Sequence, residues 1–118
     1  MRPKDALGRH GEQLAAQHLQ ASGLEVLDRN WRCPDGEIDI VAREGDILVI
    51  CEVKTRTSPL FGDPVEAVGP AKAARIHRLA MRWMASHTPN WRDLRFDVVS
   101  VLSGPDGASR VRHLRGGF

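Results

Sequence analysis

Cysteine is scarce. The chain has two, Cys33 and Cys51, which is too few for a disulfide framework, so both are expected as reduced thiols. The histidines His10, His18, His77, His87 and His113 show no metal-ligand spacing with each other or with the cysteines, which argues against a zinc site. A Gly-rich phosphate loop and a Ser-centred nucleophile elbow are also missing. No apolar run is long enough to span a membrane, and Met1-Arg2-Pro3-Lys4-Asp5 is not followed by the apolar region of a signal peptide. The expected location is the cytoplasm. Charge of one sign is not in excess either: the net charge is +2, too small to establish a nucleic-acid partner by itself. There are no repeats, linkers or low-complexity segments. With 118 residues of ordinary composition, the expectation is one domain, residues 1–118, large enough for a hydrophobic core.

What is present centres on Gly36-Glu37-Ile38-Asp39-Ile40-Val41-Ala42-Arg43-Glu44-Gly45-Asp46-Ile47-Leu48-Val49-Ile50-Cys51-Glu52-Val53-Lys54-Thr55. Two Ile/Val-rich arms flank the turn signal Glu44-Gly45, which predicts a β-hairpin. With those two residues as the loop, Arg43 faces Asp46 and Val41 faces Leu48. Side chains alternate along a strand. One face then carries Ile38, Ile40, Ala42, Ile47, Val49, Cys51 and Val53, all apolar. The other carries Glu37, Asp39, Val41, Leu48, Ile50, Glu52 and Lys54. Three carboxylates on a partly covered face are unfavourable unless paired or metal-bound. A divalent cation with oxygen ligands would relieve them, and so would salt bridges on a solvated outer face.

Around this hairpin, residues 6–21 have helical periodicity, with Glu12 at the edge of the apolar side. From the pattern alone, Glu12 reads first as a surface residue favourable near the positive helix start. Residues 24–31 read as a strand. The polar loop 55–64 is placed to overhang the charged face or to act as a plain connector. Residues 70–87 read as a helix with Pro70 in its first turn. Ile76, Leu79, Ala80 and Trp83 form its apolar stripe. Arg75, Arg78 and Arg82 form a basic stripe beside it, either a solvated face or a phosphate track. Lys72 lies on the apolar side at the helix start, where it can snorkel to solvent or point at a polar site. Residues 94–102 and 110–114 read as strands, with Phe96, Val98 and Ser100 opposite Asp97, Val99 and Val101. The order predicts an α/β fold, a mixed sheet with a helix on each side.

Asp39, then Glu52-Val53-Lys54 on the next strand, with a helical Glu12 upstream, resembles the PD-(D/E)xK nuclease superfamily. That superfamily has the restriction-endonuclease-like fold, also found in Holliday junction resolvases. Gly11-Glu12, Asn30-Trp31-Arg32, Gly36-Glu37-Ile38-Asp39, Glu52-Val53-Lys54-Thr55-Arg56 and Arg95-Phe96-Asp97-Val98-Val99, in this order, resemble the YraN family of small bacterial proteins. The resemblance implies an αβββαβ core and a Mg²⁺- or Mn²⁺-dependent endonuclease. It implies Asp39, Glu52 and Glu12 as metal ligands, with the Val53 carbonyl beside them, and Lys54 as the residue that positions or activates the attacking water. One departure is Ile38, where the superfamily motif has Pro. The expected partner is nucleic acid, DNA in particular, contacted through Arg56, Lys72, Arg75 and Arg78. The products would carry a 5′-phosphate and a 3′-hydroxyl, and related resolvases act as homodimers. A non-catalytic nucleic-acid-binding domain of the same fold, and an interaction module without nucleic acid, remain open at this point.

Overall fold

The computed structural model describes residues 3–57, 68–87, 90–104 and 107–118, with the side chains of the first helix described from Leu7 onward. Helix α1 (Pro3–Ala21) leads into strands β1 (Glu25–Cys33), β2 (Gly36–Glu44) and β3 (Ile47–Arg56). Helix α2 (Pro70–Ser86), β4 (Asp93–Ser103) and β5 (Ser109–Leu114) follow. The strands form one sheet in the order β1-β2-β3-β4-β5. β3 and β4 are parallel, while the other neighbours are antiparallel. The chain order from α1 to β4 is the αβββαβ order of the restriction-endonuclease-like core. The expected overhanging loop lies, from residue 58 to residue 64, outside the described residues. No helix among the described residues is long and apolar enough to cross a membrane.

The sheet buries both faces, and alternation in the sequence explains how. On one side Val41, Leu48, Ile50, Phe96 and Val98 pack against Ile76, Leu79, Ala80 and Trp83 of α2. On the other, Ile40, Ala42, Val49, Cys51, Val99 and Val101 pack against Ala15, Ala16 and Leu19 of α1. Each Val, Leu, Ile or Phe among these taken from water contributes roughly 1.5–3 kcal/mol, so the helices are held mainly by these stripes. Trp83 Nε1 also donates to Asp28 Oδ2 at 3.0 Å, fixing α2 over β1.

Two details differ from the sequence reading. The hairpin loop is Gly45-Asp46, with Glu44 paired to Ile47, Arg43 to Leu48 and Val41 to Ile50. Gly45 has φ 62°, a conformation that glycine adopts without the steric cost of a Cβ and that a two-residue hairpin turn asks of its first residue. The expected pairs are displaced by two positions, an even number, so the turn itself leaves the faces unchanged. Ile38 does change face: it packs on the α2 side with Val41, not with Ile40. The cause lies opposite, in β1. Asn30 sits between the pairs Arg29–Ile40 and Trp31–Ile38 and has φ 52°. A left-handed residue inside a strand breaks the pleat, and Asp39, facing Asn30, turns with it.

Candidate metal centre

The site forms where β2 and β3 part. Their regular pairing ends at Ile40–Cys51. One residue beyond, the carboxylate of Asp39 accepts the Val53 amide at Oδ2, 2.8 Å away. Glu12 approaches from α1, and its neighbour Gly11 explains how. A Cβ on Gly11 would collide with the side chain of Thr55. Glycine inside a helix costs about 1 kcal/mol relative to alanine, and here it allows α1 to lie close against β3. Asn30 lies near enough to Glu12 to favour its ionised form, so the irregular strand position also bears on a site residue.

Glu12, Asp39, Val53 and Thr55, with Leu7 and Gly8, line a cavity of about 310 Å³. Carboxylate oxygens of Glu12, Glu37 and Asp39 lie within 4.8 Å of one another. Such a set of hard oxygen donors suits Mg²⁺ or Mn²⁺. Burial, and after it the charge of Glu52, push the Asp39 carboxyl up to about 7; the Val53 amide acts against them. Burial also raises Glu12, offset in part by Asn30. These carboxylates are held close at an electrostatic cost that a cation would remove.

The expected residues are distributed unevenly. Glu12 and Asp39 come together, and Glu37 joins them. The sequence counts Glu37 among the three carboxylates that a divalent cation would relieve, without naming it as a metal ligand. Its position two residues before Asp39 was the available signal, and Arg32 lies 3.4 Å from it. Glu52 is close enough to raise Asp39, but its side chain forms an ion pair with Lys72 of α2. The sequence reading placed Asp39 and Glu52 on one face, whereas Asp39 now lines the α1-side cavity and Glu52 reaches α2. The bend at Asn30 and Asp39 produces that difference. Lys54 is half-buried on β3, paired with Ser100 of β4.

Of the expected nucleic-acid contacts, Arg56 is exposed and donates to the carbonyl of Thr55 at 3.2 Å. Arg75 and Arg78 are exposed on α2, while Arg82 is engaged by Asp35. Lys72 is engaged by Glu52.

Beside Cys51, on β4, Asp97 forms a second hub. It is fully buried and accepts from Arg95 at 2.9 and 3.0 Å and from the Gly116 amide at 2.9 Å. His113 Nε2 lies 2.7 Å from it. Burial alone would raise Asp97, but His113, Arg95 and the Gly116 amide together hold it below the usual carboxylate range. This accounts for the charged residue inside Phe96-Asp97-Val98-Val99 as a structural anchor.

The model of the uncharacterised protein family UPF0102 matches residues 11–101. A UPF0102 protein of Beutenbergia cavernae is 59% identical over 116 residues, covering 98% of both chains. A UPF0102 protein of Frankia alni is 58% identical over 118 residues, covering all of this chain and 98% of the relative. One from an Arthrobacter species is 58% identical over 116 residues, again covering 98% of both.

Proposed function

The chain belongs to the UPF0102 family, the YraN group that its motifs resemble, and we propose that it is a metal-dependent nuclease hydrolysing phosphodiester bonds, with structured DNA of the Holliday-junction type as the expected substrate. The observation that carries this reading is the convergence of Glu12, Glu37 and Asp39 within 4.8 Å. It occurs where two strands separate and a cavity opens.

Asp39, Glu12 and Glu37 would hold Mg²⁺ or Mn²⁺, with Glu52 adjoining. When bound, the ion supplies a lowered pKa for water and neutralises charge developing on the phosphate. Asp39 must be ionised to serve, which favours mildly alkaline conditions given its raised pKa. The Val53 amide fixes one Asp39 oxygen, leaving Oδ1 for the cation. Lys54, on the same strand as Glu52, would position water and stabilise the developing negative charge. Arg75 and Arg78 supply exposed cationic charge for the phosphate backbone.

A second reading draws on the Glu52–Lys72 pair. A protein that keeps this carboxylate neutralised internally fits a nucleic-acid-binding domain of the same fold without catalysis. The two readings part on melting and cleavage together. Millimolar Mn²⁺ should raise the melting temperature of the wild type more than that of Glu52→Gln. Lys54→Ala should retain or improve metal binding and lose cleavage. If all three proteins bind DNA and none binds metal or cleaves, the non-catalytic reading stands.

A further inference from the structure

We propose that Lys72 is a built-in counter-ion for Glu52, which competes with the divalent ion for that carboxylate and, once displaced, is delivered to the phosphates of the nucleic acid. The inference rests on the nuclease reading above and adds a regulatory element to the same site.

Lys72 is the third residue of α2, in a first turn that has no acidic residue and no side-chain cap from Gly69. A helix start carries partial positive charge, so its own helix disfavours a lysine there. Glu52 accounts for the placement. Its side chain is 12% exposed, while that of Lys72 is 42% exposed. A carboxylate so nearly removed from water requires a cation or hydrogen bonds, and the ammonium of Lys72 meets Glu52 Oε1. Glu52 thereby carries a monovalent cation at the edge of a site whose other carboxylates suit a divalent one.

Two cations on one carboxylate repel, so the dication and the ammonium are alternatives. The exposure of Lys72 gives it a route out, since its four-carbon stem can swing the charge to solvent. What lies along that route is also basic. Lys72, Arg75 and Arg78 recur every third residue of α2, which places them along one side of the helix, and Arg75 and Arg78 are exposed. A released Lys72 extends this row to the edge of the metal site. Metal loading then strengthens phosphate binding, and phosphate binding strengthens metal loading, by reciprocal linkage.

The test is calorimetric titration of Mn²⁺ into the wild type, Lys72→Met, Lys72→Arg, Glu52→Gln and Asp39→Asn at mildly alkaline pH, without nucleic acid. Lys72→Met keeps the stem and removes the charge. It should bind Mn²⁺ more tightly by about fivefold, the size of one half-exposed ion pair. Lys72→Arg should stay near the wild-type affinity. In the Glu52→Gln background, Lys72→Met should change nothing. Equal or weaker binding by Lys72→Met, with wild-type binding still abolished by Asp39→Asn, overturns the counter-ion role and leaves the metal site intact. If the wild type shows no Mn²⁺ binding that Asp39→Asn removes, the metal reading fails and this inference fails with it.

Discussion

The amide of Val53 donates to the side chain of Asp39 at 2.8 Å, not to a main-chain carbonyl of β2. The strands have stopped pairing by this point, and the carboxylate takes the acceptor position that the ladder no longer supplies. One oxygen of Asp39 is thus fixed by backbone, while the group stands beside Glu12 and Glu37. Loss of strand pairing and the creation of an acidic site are the same local event.

Replacing Asp39 separates its two roles. Asp39→Asn keeps an acceptor for Val53 and removes the charge, so it should lose metal binding while remaining folded. Asp39→Ala leaves a partly buried amide unpaired and should unfold more readily than Asp39→Asn, by roughly 1–3 kcal/mol. Urea melts of the two variants, beside Mn²⁺ titrations, check both statements.

Stability should fall as pH rises. The Asp39 carboxyl titrates near 7 in the folded chain against 3.8 ordinarily, raised first by burial and then by Glu52. The folded form therefore holds this proton more tightly than the unfolded form does. Its stabilising contribution is complete below the ordinary value and is lost as pH rises through about 7. Unfolding free energy should drop by on the order of 2 kcal/mol between about pH 5 and about pH 8. Asp39→Asn should flatten that slope, and Mn²⁺ should offset it at the alkaline end. Asp97, with a lowered value, acts in the opposite sense below the ordinary carboxylate range, so the two windows are separate.

Gly11→Ala tests how α1 presents Glu12. The new Cβ would meet Oγ1 and Cγ2 of Thr55. Helix propensity alone favours alanine by about 1 kcal/mol, yet overpacking should give a net loss of about 1–3 kcal/mol. Metal affinity should weaken along with stability, because Glu12 moves with its helix. Thr55→Ala in the same chain should recover much of both, which denaturation and Mn²⁺ titration would show.

The exposed arginines of α2 should behave as sequence-independent phosphate contacts. Arg75→Ala and Arg78→Ala should each make the logarithmic salt dependence of duplex binding shallower by about one unit. Arg82 is engaged by Asp35, so Arg82→Ala should alter the slope less. Fluorescence anisotropy across a salt series distinguishes the positions.

Much of this fold is legible from local pattern. Alternation in β3 and β4 and the stripe Ile76, Leu79, Ala80 and Trp83 place both cores, since burial on a sheet face or helix stripe repeats at fixed intervals. The hairpin faces are legible even with the loop displaced, because a displacement of two positions leaves each side chain on its own face. The face of Ile38 is not legible in β2 itself, because the left-handed residue that turns it, Asn30, lies on another strand. Glu12 and Asp39 carry their signal in residue type and order. Glu37 is visible in the sequence as one of three carboxylates on the charged face, but the family motif does not single it out as a metal ligand. The pairing of Glu52 with Lys72 joins residues from different elements, and only the packing of α2 against the sheet reveals it.

Single-turnover cleavage tests the central claim most directly. Labelled branched, duplex and single-stranded DNA, with matching RNA, would be incubated with excess wild-type protein or Asp39→Asn, in Mn²⁺, Mg²⁺ or EDTA. The account predicts cleavage by the wild type in metal alone, leaving 5′-phosphate and 3′-hydroxyl ends, and loss of at least about a hundredfold in Asp39→Asn, the scale of removing one electrostatic stabiliser from an active site. Metal-independent cleavage, equal rates for the two proteins, or tight binding of every substrate with no cleavage in either metal would contradict it.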